Sequence, residues 1–420
     1  MAVSSREFLK RALSTGAVES YTLASFLSGN HRQLANRDGE AIARALVKAN
    51  LLTPFQARVI YQNERPRLIL GNYLLVEEIG RGGMGVVFKA VHRQMLRNVA
   101  IKLLNPTIAK SQKAAQRFLR EVQTAARLNH RNIVQAYDAD VIGKNCYLVM
   151  EYVEGDDLAS IVRAQGRLEV ERAVDFVTQA AIGFGYAHSQ GVIHRDIKPH
   201  NLLVNEHGVV KVLDMGLAKV LSPSESDAGL TDTGIIMGSV DFMAPELANG
   251  TQWASKRSDI YSLGITLWYL LVGSVPYHGD SAISKLLAHR EQPIPDLQQE
   301  CTKASPELCD VFCKMVAKDP EQRFSCMEEV ASVLSGTRSA KGSEPSVAPP
   351  KASSITDFLS SLQQDHSLGS PPDVSFDQRQ IDPLEESTVR FLESLAETDS
   401  DVPQASNPNF SRIELPQEEI

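Results

Sequence analysis

The sequence predicts an α+β protein in four parts: a small helical module, a strand-rich part with one main helix, a larger helical part, and an acidic tail. Three observations carry this. Residues 1–66 show apolar residues at helical spacing. From Gly71 the pattern changes to short alternating runs bounded by turn residues, and after Gly155 it becomes mostly helical. Beyond about Gly336, proline, serine and acidic residues take over.

The elements follow in chain order. Phe8, Leu9 and Leu13 recur at helical spacing, as do Ala43, Ala45, Leu46 and Leu51. Asp38 suits a second helix cap, and Thr53-Pro54 suits the start of a third. This module, residues 1–66, carries no visible chemistry; its plainest reading is an element that packs against the next domain. Tyr73–Ile79 and Gly85–Phe88 read as strand, glycine-rich turn and strand, and Asn98–Leu104 as a third strand. A helix is expected from about Ser111 to Leu128, with Phe118, Leu119 and Val122 on one side. Strands are expected at Ile133–Tyr137, Cys146–Tyr152, Leu202–Asn205 and Val209–Leu213. Ile260–Gly273 is apolar but too short to cross a membrane and holds Ser and Tyr, so it reads as a buried core helix.

Composition narrows the function classes. The chain of 420 residues is 43% hydrophobic and carries a net charge of -8, which argues against nucleic acid as the main partner. Residues 341–420 hold 15 Asp/Glu against 5 Lys/Arg, so the acidity belongs to the tail and the rest is near +2. Nine of the 20 prolines also lie there, and the tail is expected to be disordered. Within it Phe358-Leu-Ser-Ser-Leu362 recurs as Phe391-Leu-Glu-Ser-Leu395, two short apolar faces suited to a partner's groove, or a chance likeness. Five scattered cysteines do not form a disulfide framework. Cys309 and Cys313 have i,i+4 spacing without a second ligand pair, so a buried helical face is expected there rather than a metal site. Arg6, Lys10 and Arg11 interrupt any signal-peptide core, and no apolar run reaches spanning length. A cytoplasmic location is expected.

The chemistry concentrates in two segments. His194-Arg-Asp-Ile-Lys-Pro-His-Asn201 precedes Asp214-Met-Gly216. Phosphoryl transfer needs a carboxylate to orient a hydroxyl and hard oxygen ligands to hold Mg²⁺ against nucleotide phosphates. Asp196 can supply the first, and Asn201 with Asp214 the second. Upstream, Gly80-Arg-Gly82-Gly-Met-Gly85-Val-Val87 fits G-x-G-x-x-G-x-V. The glycines alone also fit a Rossmann turn, but here the chain continues as a strand, which favours a hairpin lid over phosphates. No G-K-[ST] follows, so a Walker loop is excluded.

These segments resemble the eukaryotic-type (Hanks-type) Ser/Thr protein kinases, and the bacterial members look closest. The likeness runs over about residues 73–335. It implies a bilobal protein-kinase fold spanning 67–336, with an N-lobe at about 73–152 and a C-lobe at about 153–336, a helical N-terminal extension at 1–66 and a disordered tail at 337–420. It implies ATP and Mg²⁺, with Mn²⁺ as a substitute, and protein substrates. Lys102 in Val99-Ala-Ile-Lys102 would neutralise the α- and β-phosphates, held by Glu121 on the following helix. Met150-Glu151-Tyr152-Val153 would be the hinge whose backbone meets adenine, with Val87 and Ala100 over the ring and Asp157 at the ribose. Lys198 would stabilise the γ-phosphoryl charge. Asp214-Met215-Gly216 departs from Asp-Phe-Gly, though Met keeps an apolar side chain there. Gly238–Glu246 resembles the end of an activation segment, with Ser239 where Thr is usual. Glu246 is expected to pair with Arg323, and Asp259 to brace the catalytic loop. Thr231 and Thr233 are candidates for autophosphorylation, with Arg195 to receive the phosphate. Two rivals stand beside this reading: a scaffold that has lost catalysis, and a small-molecule kinase of related fold. The complete set Lys102, Glu121, Asp196, Asn201 and Asp214 speaks against the first, and the Ala244-Pro-Glu246 segment against the second.

Overall fold

The computed structural model describes residues 3–28, 38–63, 68–82, 85–104, 112–142, 145–215, 240–249 and 253–339. The chain divides into two compact units, with the division falling after Val76.

The N-terminal unit holds four helices: α1 (Ser5–Ser14), α2 (Ser20–Ser28), α3 (Gly39–Lys48) and α4 (Pro54–Gln62). Three start on side-chain caps. Ser4 accepts from the Glu7 amide, and Asp38 from the Ala41 amide at 2.8 Å. Thr53 forms a reciprocal capping box with Gln56, with Pro54 at the first helical position. Phe8, Leu23, Leu27, Ile42 and Leu46 are fully buried and form the core of this unit. The sequence reading did not foresee α2, whose apolar face rests on Leu23 and Leu27 within a Ser- and Thr-containing stretch. Nor did it foresee β1 (Ile69–Leu70), which pairs antiparallel with the start of β2 (Tyr73–Gly82). The buried Gln56 side chain donates to the Leu75 carbonyl at 2.7 Å, and the Thr53 hydroxyl donates to the Val76 carbonyl at 2.5 Å. The Leu68 amide donates to Thr15 O. The helical unit therefore continues past residue 66 into β2.

The second unit opens with a sheet. From β2 the strand order runs to β3 (Gly85–His92), β4 (Asn98–Leu104), β6 (Asn145–Glu151) and β5 (Ala136–Ile142). Register puts Val87 opposite Lys102, Lys102 opposite Leu148, and Ala100 opposite Met150. Directly paired residues share a face, so Val87, Ala100 and Lys102 lie on one side of the sheet. Helix α5 (Gln112–Ala125) packs Phe118 and Val122 into the same cluster. The expected strand Ile133–Tyr137 is displaced. Ile133 and Val134 instead meet the end of another strand, at Val212. The sheet takes Ala136–Ile142, where Ala139 and Val141 pack inward and alternate with Asp138 and Asp140.

Beyond this sheet the unit is mainly helical: α6 (Leu158–Gln165), α7 (Val170–Ser189), α8 (Lys256–Val272), α9 (Ala282–Glu291), α10 (Leu297–Glu300), α11 (Pro306–Met315) and α12 (Met327–Ser339). A small sheet joins β7 (Gly155–Asp157), β8 (Leu202–Asn205) and β9 (Val210–Val212). Helix α8 is the expected core helix. A Ser255–Ser258 capping box starts it, Gly273 at φ +88° ends it, and Ile260, Leu263, Ile265 and Leu267 are fully buried. The expected buried face for Cys309 and Cys313 is corrected: Cys313 is exposed and Cys309 only partly covered. The core stripe of α11 is Leu308, Val311, Phe312 and Met315. Each cysteine sits one residue after a stripe member and is turned about 100° from it. No group of three or more His, Cys, Asp or Glu able to hold a metal occurs among the described residues. No described helix is long and apolar enough to cross a membrane. The tail motifs at Phe358–Leu362 and Phe391–Leu395 lie outside the described residues.

A buried histidine sets the acid stability of this unit. His289 is wholly enclosed and its Nδ1 lies 2.8 Å from the Tyr261 hydroxyl. Burial, then the Lys318 charge, pushes its pKa down to about 4 despite an opposing pull from the Asp241 backbone. The unfolded chain, with its histidine near 6.5, binds the proton more readily. This stabilisation is complete above pH 6.5 and is lost as pH falls toward 4. The unfolding free energy from urea titrations should fall across that window, by on the order of 3 kcal/mol at pH 4. The decline should shrink in His289→Asn; an equal decline in the variant would refute the assignment.

Candidate active site

Asp259, buried in the first turn of α8, builds the loop that carries Asp196. Its Oδ2 accepts the His194 amide at 2.9 Å and lies 2.8 Å from His188 Nε2. Its Oδ1 accepts the Arg195 amide at 2.9 Å. Arg195 is thereby held at φ +70°, a left-handed conformation costly for a residue with a side chain. The bracing aspartate is where the sequence reading put it. His188, its other partner, was missed; it lies on α7 with no local motif to mark it.

The loop then locks onto the strand that delivers Asp214. His194 Nε2 meets Leu213 O at 2.7 Å, and the Leu213 amide donates to Asn201 O at 2.9 Å. Asp214 follows at φ +57°. Its Oδ2 meets the Lys102 ammonium, from β4, at 2.5 Å. Burial would raise the Asp214 carboxyl, but the charge and hydrogen bond of Lys102, with His194 and Lys198 behind them, outweigh it and hold the group below the usual carboxylate range.

Asp196 is similarly fixed. Its Oδ2 accepts from Lys198 Nζ at 2.7 Å and from Asn201 Nδ2 at 3.2 Å. Asn201 Nδ2 also donates to Asp196 O at 2.7 Å. No described residue bonds Asp196 Oδ1. Lys102 and Asp214 thus form one bonded pair, and Asp196, Lys198 and Asn201 one bonded cluster; the Leu213 amide bond to Asn201 O ties the two together. With its nitrogen turned to Asp196, Asn201 presents Oδ1 the other way. That oxygen and the Asp214 carboxylate are hard donors of the kind a divalent cation takes.

The glycines divide by role. A Cβ on Gly85, at φ +145°, would stand 2.0 Å from Leu103 O, so strand pairing alone demands glycine there. A Cβ on Gly82 would meet nothing within 4 Å among the described residues, and one on Gly80 only Val87 at 3.8 Å. Packing among the described residues does not require these two glycines. Asp157 spends its carboxylate on capping α6, accepting from the Ala159 and Ser160 amides and the Ser160 hydroxyl. Glu151 ends β6, followed by Tyr152 and Val153. Its side chain pairs with Lys211, which the sequence reading overlooked.

Glu246 and Arg323 form the expected pair. Two parallel bonds of 2.8 and 2.9 Å join them, and the Arg323 side chain is wholly buried. Glu121 lies on α5, but its side chain, together with Gly216, Thr231, Thr233 and Ser239, lies outside the described residues.

A family model described as the protein kinase domain matches residues 73–334. The serine/threonine-protein kinase PrkC of Bacillus subtilis is 38% identical over 262 residues, which cover 62% of this chain and 40% of that protein. The serine/threonine-protein kinase PknB of Mycolicibacterium smegmatis is 36% identical over 274 residues, 64% and 43% of the two chains. The chain thus spans about two fifths of the length of these curated relatives. Among solved structures, the kinase domain of Mycobacterium tuberculosis PknI aligns with a TM-score of 0.51 at 26% identity, over 64% of this chain and 97% of that one.

Proposed function

The chain belongs to the protein kinase family, and on that footing we propose that it transfers the γ-phosphoryl group of ATP to serine or threonine hydroxyls of proteins. The observation that carries this reading is the Lys102–Asp214 pair tied, through the Leu213 amide bond to Asn201 O, to the bonded cluster of Asp196, Lys198 and Asn201. Family members use ATP and a divalent metal, generally Mg²⁺. In this chain Asn201 and Asp214 would hold the ion. When bound, it would neutralise charge between the β- and γ-phosphates.

Every other task falls to the chain's own residues. Gly80 and Gly82 let backbone amides approach the phosphates, and Gly85, which strand pairing already requires, keeps the turn that carries them in place. Lys102 neutralises the α- and β-phosphates, with Glu121 as its second partner. The Glu151 and Val153 backbone takes the adenine edge, Val87 and Ala100 cover its face, and Asp157 stands near the ribose. Asp196 Oδ1 orients the acceptor hydroxyl and takes up its proton, while Lys198 offsets charge on the group in transit. A protein acceptor is favoured over a small molecule because the Ala244-Pro-Glu246 segment is present and fixed, with Ala244 fully buried and Glu246 paired to Arg323. We place the domain on the cytoplasmic side, where ATP is available and a reducing milieu suits its five free cysteines. The tail motifs around Phe358 and Leu362, and Phe391 and Leu395, are proposed partner-docking segments.

Incubation with γ-labelled ATP, Mg²⁺ and a generic protein substrate tests the activity. Label should appear on serine or threonine; no incorporation above a heat-treated control would refute the reading. Mass spectrometry of the same sample should find phosphate on Thr231 or Thr233, where added charge could pair with Arg195. Phosphate confined to residues outside 214–246 would remove that assignment.

A further inference from the structure

Glu151 stands where the upper sheet gives way to the helical part, and both its carboxylate oxygens are engaged. Oε1 meets Lys211 Nζ at 2.7 Å. Oε2 accepts from the same ammonium at 2.9 Å and from the Gln135 amide at 3.2 Å. The Glu151 amide donates in return to Gln135 O at 2.8 Å. Lys211 is the middle residue of β9, in the small sheet of the helical part. Its ammonium is largely covered, with the side chain 16% exposed.

The next residue of β9 holds the other leg of the same hairpin. Val212 O accepts the Val134 amide at 2.9 Å, just before β5 begins, and Val212 pairs with Ile133 as an isolated parallel bridge. Consecutive residues of β9 therefore grip both legs of the hairpin β5–β6 at its open end. The grip at Val134 uses backbone and tolerates any side chain. The grip at Glu151 depends on one ion pair. Nearby His130 is held below its ordinary value by burial and by the charges of Arg131 and Lys211.

We propose that Lys211 is a positioning residue for the adenine subsite: by clamping the Glu151 carboxylate to β9, it fixes the orientation of the 151–153 backbone that receives the base. This rests on the kinase reading above. Lys211 touches no reacting atom, so its effect belongs in nucleotide affinity rather than in the transfer step. Without the clamp, Glu151 keeps only the Gln135 amide, and the hinge peptides must be ordered at the expense of binding.

The test uses the full chain carrying Lys211→Met, which keeps the apolar stem without the charge, and Lys211→Arg, which keeps the charge. ATP dissociation constants are measured by calorimetry with Mg²⁺, alongside KM and kcat. Lys211→Met should raise both Kd and KM for ATP roughly five- to tenfold with kcat within about twofold, the size of effect expected from a partly covered ion pair. Lys211→Arg should stay within about twofold of wild type throughout. Inorganic tripolyphosphate, which lacks the base, should inhibit wild type and Lys211→Met equally. Unchanged Kd and KM in Lys211→Met, a loss confined to kcat, or an equal loss for tripolyphosphate would overturn the assignment and leave the kinase reading standing. A wild-type chain that binds no ATP would overturn the kinase reading itself, and this one with it.

Discussion

Replacing Asp196 by asparagine should lower kcat by about 10²–10⁴-fold, the range for losing a positioned general base, while ATP affinity changes little. The substitution keeps the shape of the side chain and its contact with Asn201. It removes the negative charge opposite Lys198 and the lone pair that takes the hydroxyl proton. Steady-state phosphorylation and nucleotide titration on the same preparation separate the two effects. Equal kcat in wild type and variant would show that the carboxylate is not the base. A parallel collapse of ATP binding would show that Asp196 serves the nucleotide instead.

Arg323→Ala should destabilise the second unit by about 3–5 kcal/mol, the cost of stranding one member of a buried pair. The guanidinium satisfies more than Glu246. It also donates to the carbonyls of Ala317, Arg257 and Lys318 and lies over the Tyr261 ring at 4.8 Å. Truncation leaves those acceptors and a carboxylate in a covered site. Burial would raise the Glu246 carboxyl, but Arg323 and Ser258 outweigh it and hold its pKa below the ordinary value. The stabilisation is therefore present above pH 4.5 and is lost only in stronger acid. Chemical denaturation at pH 7 measures the loss. Glu246→Gln, which retains a hydrogen-bond acceptor, should cost less than Arg323→Ala; the reverse order would contradict the pairing.

Much of the site was legible because phosphoryl transfer needs fixed residue types at short spacings. Asp196, Lys198 and Asn201 fall within six residues, and Asp214 follows a short strand, so local sequence places them. Two long-range contacts, Asp259 to the loop and Glu246 to Arg323, were readable only through the resemblance. Lys211 with Glu151 was not legible: 60 residues separate them, and neither residue stands out in its own neighbourhood. The fold failed to show where signals were weak or shared. β7 spans three residues, Gly155–Asp157, with no apolar side chain. Ile133 and Val134 looked like the start of a strand because they are apolar, but that character serves contacts to Val212. Cys309 and Cys313 had helical spacing, yet periodicity alone does not say which of two adjacent stripes turns inward.

The bonds from Thr53 and Gln56 to the Val76 and Leu75 carbonyls bear on how the catalytic region can be isolated. The family match begins at Tyr73, which invites a cut there. Such a cut would remove both donors and the Leu68 partner of the Leu75 amide, and it would bare Leu75, now 3% exposed. An orphaned strand margin of that kind recruits other chains. A fragment trimmed to the matched residues should self-associate, so assays of transfer activity are better made on protein that retains its first helices.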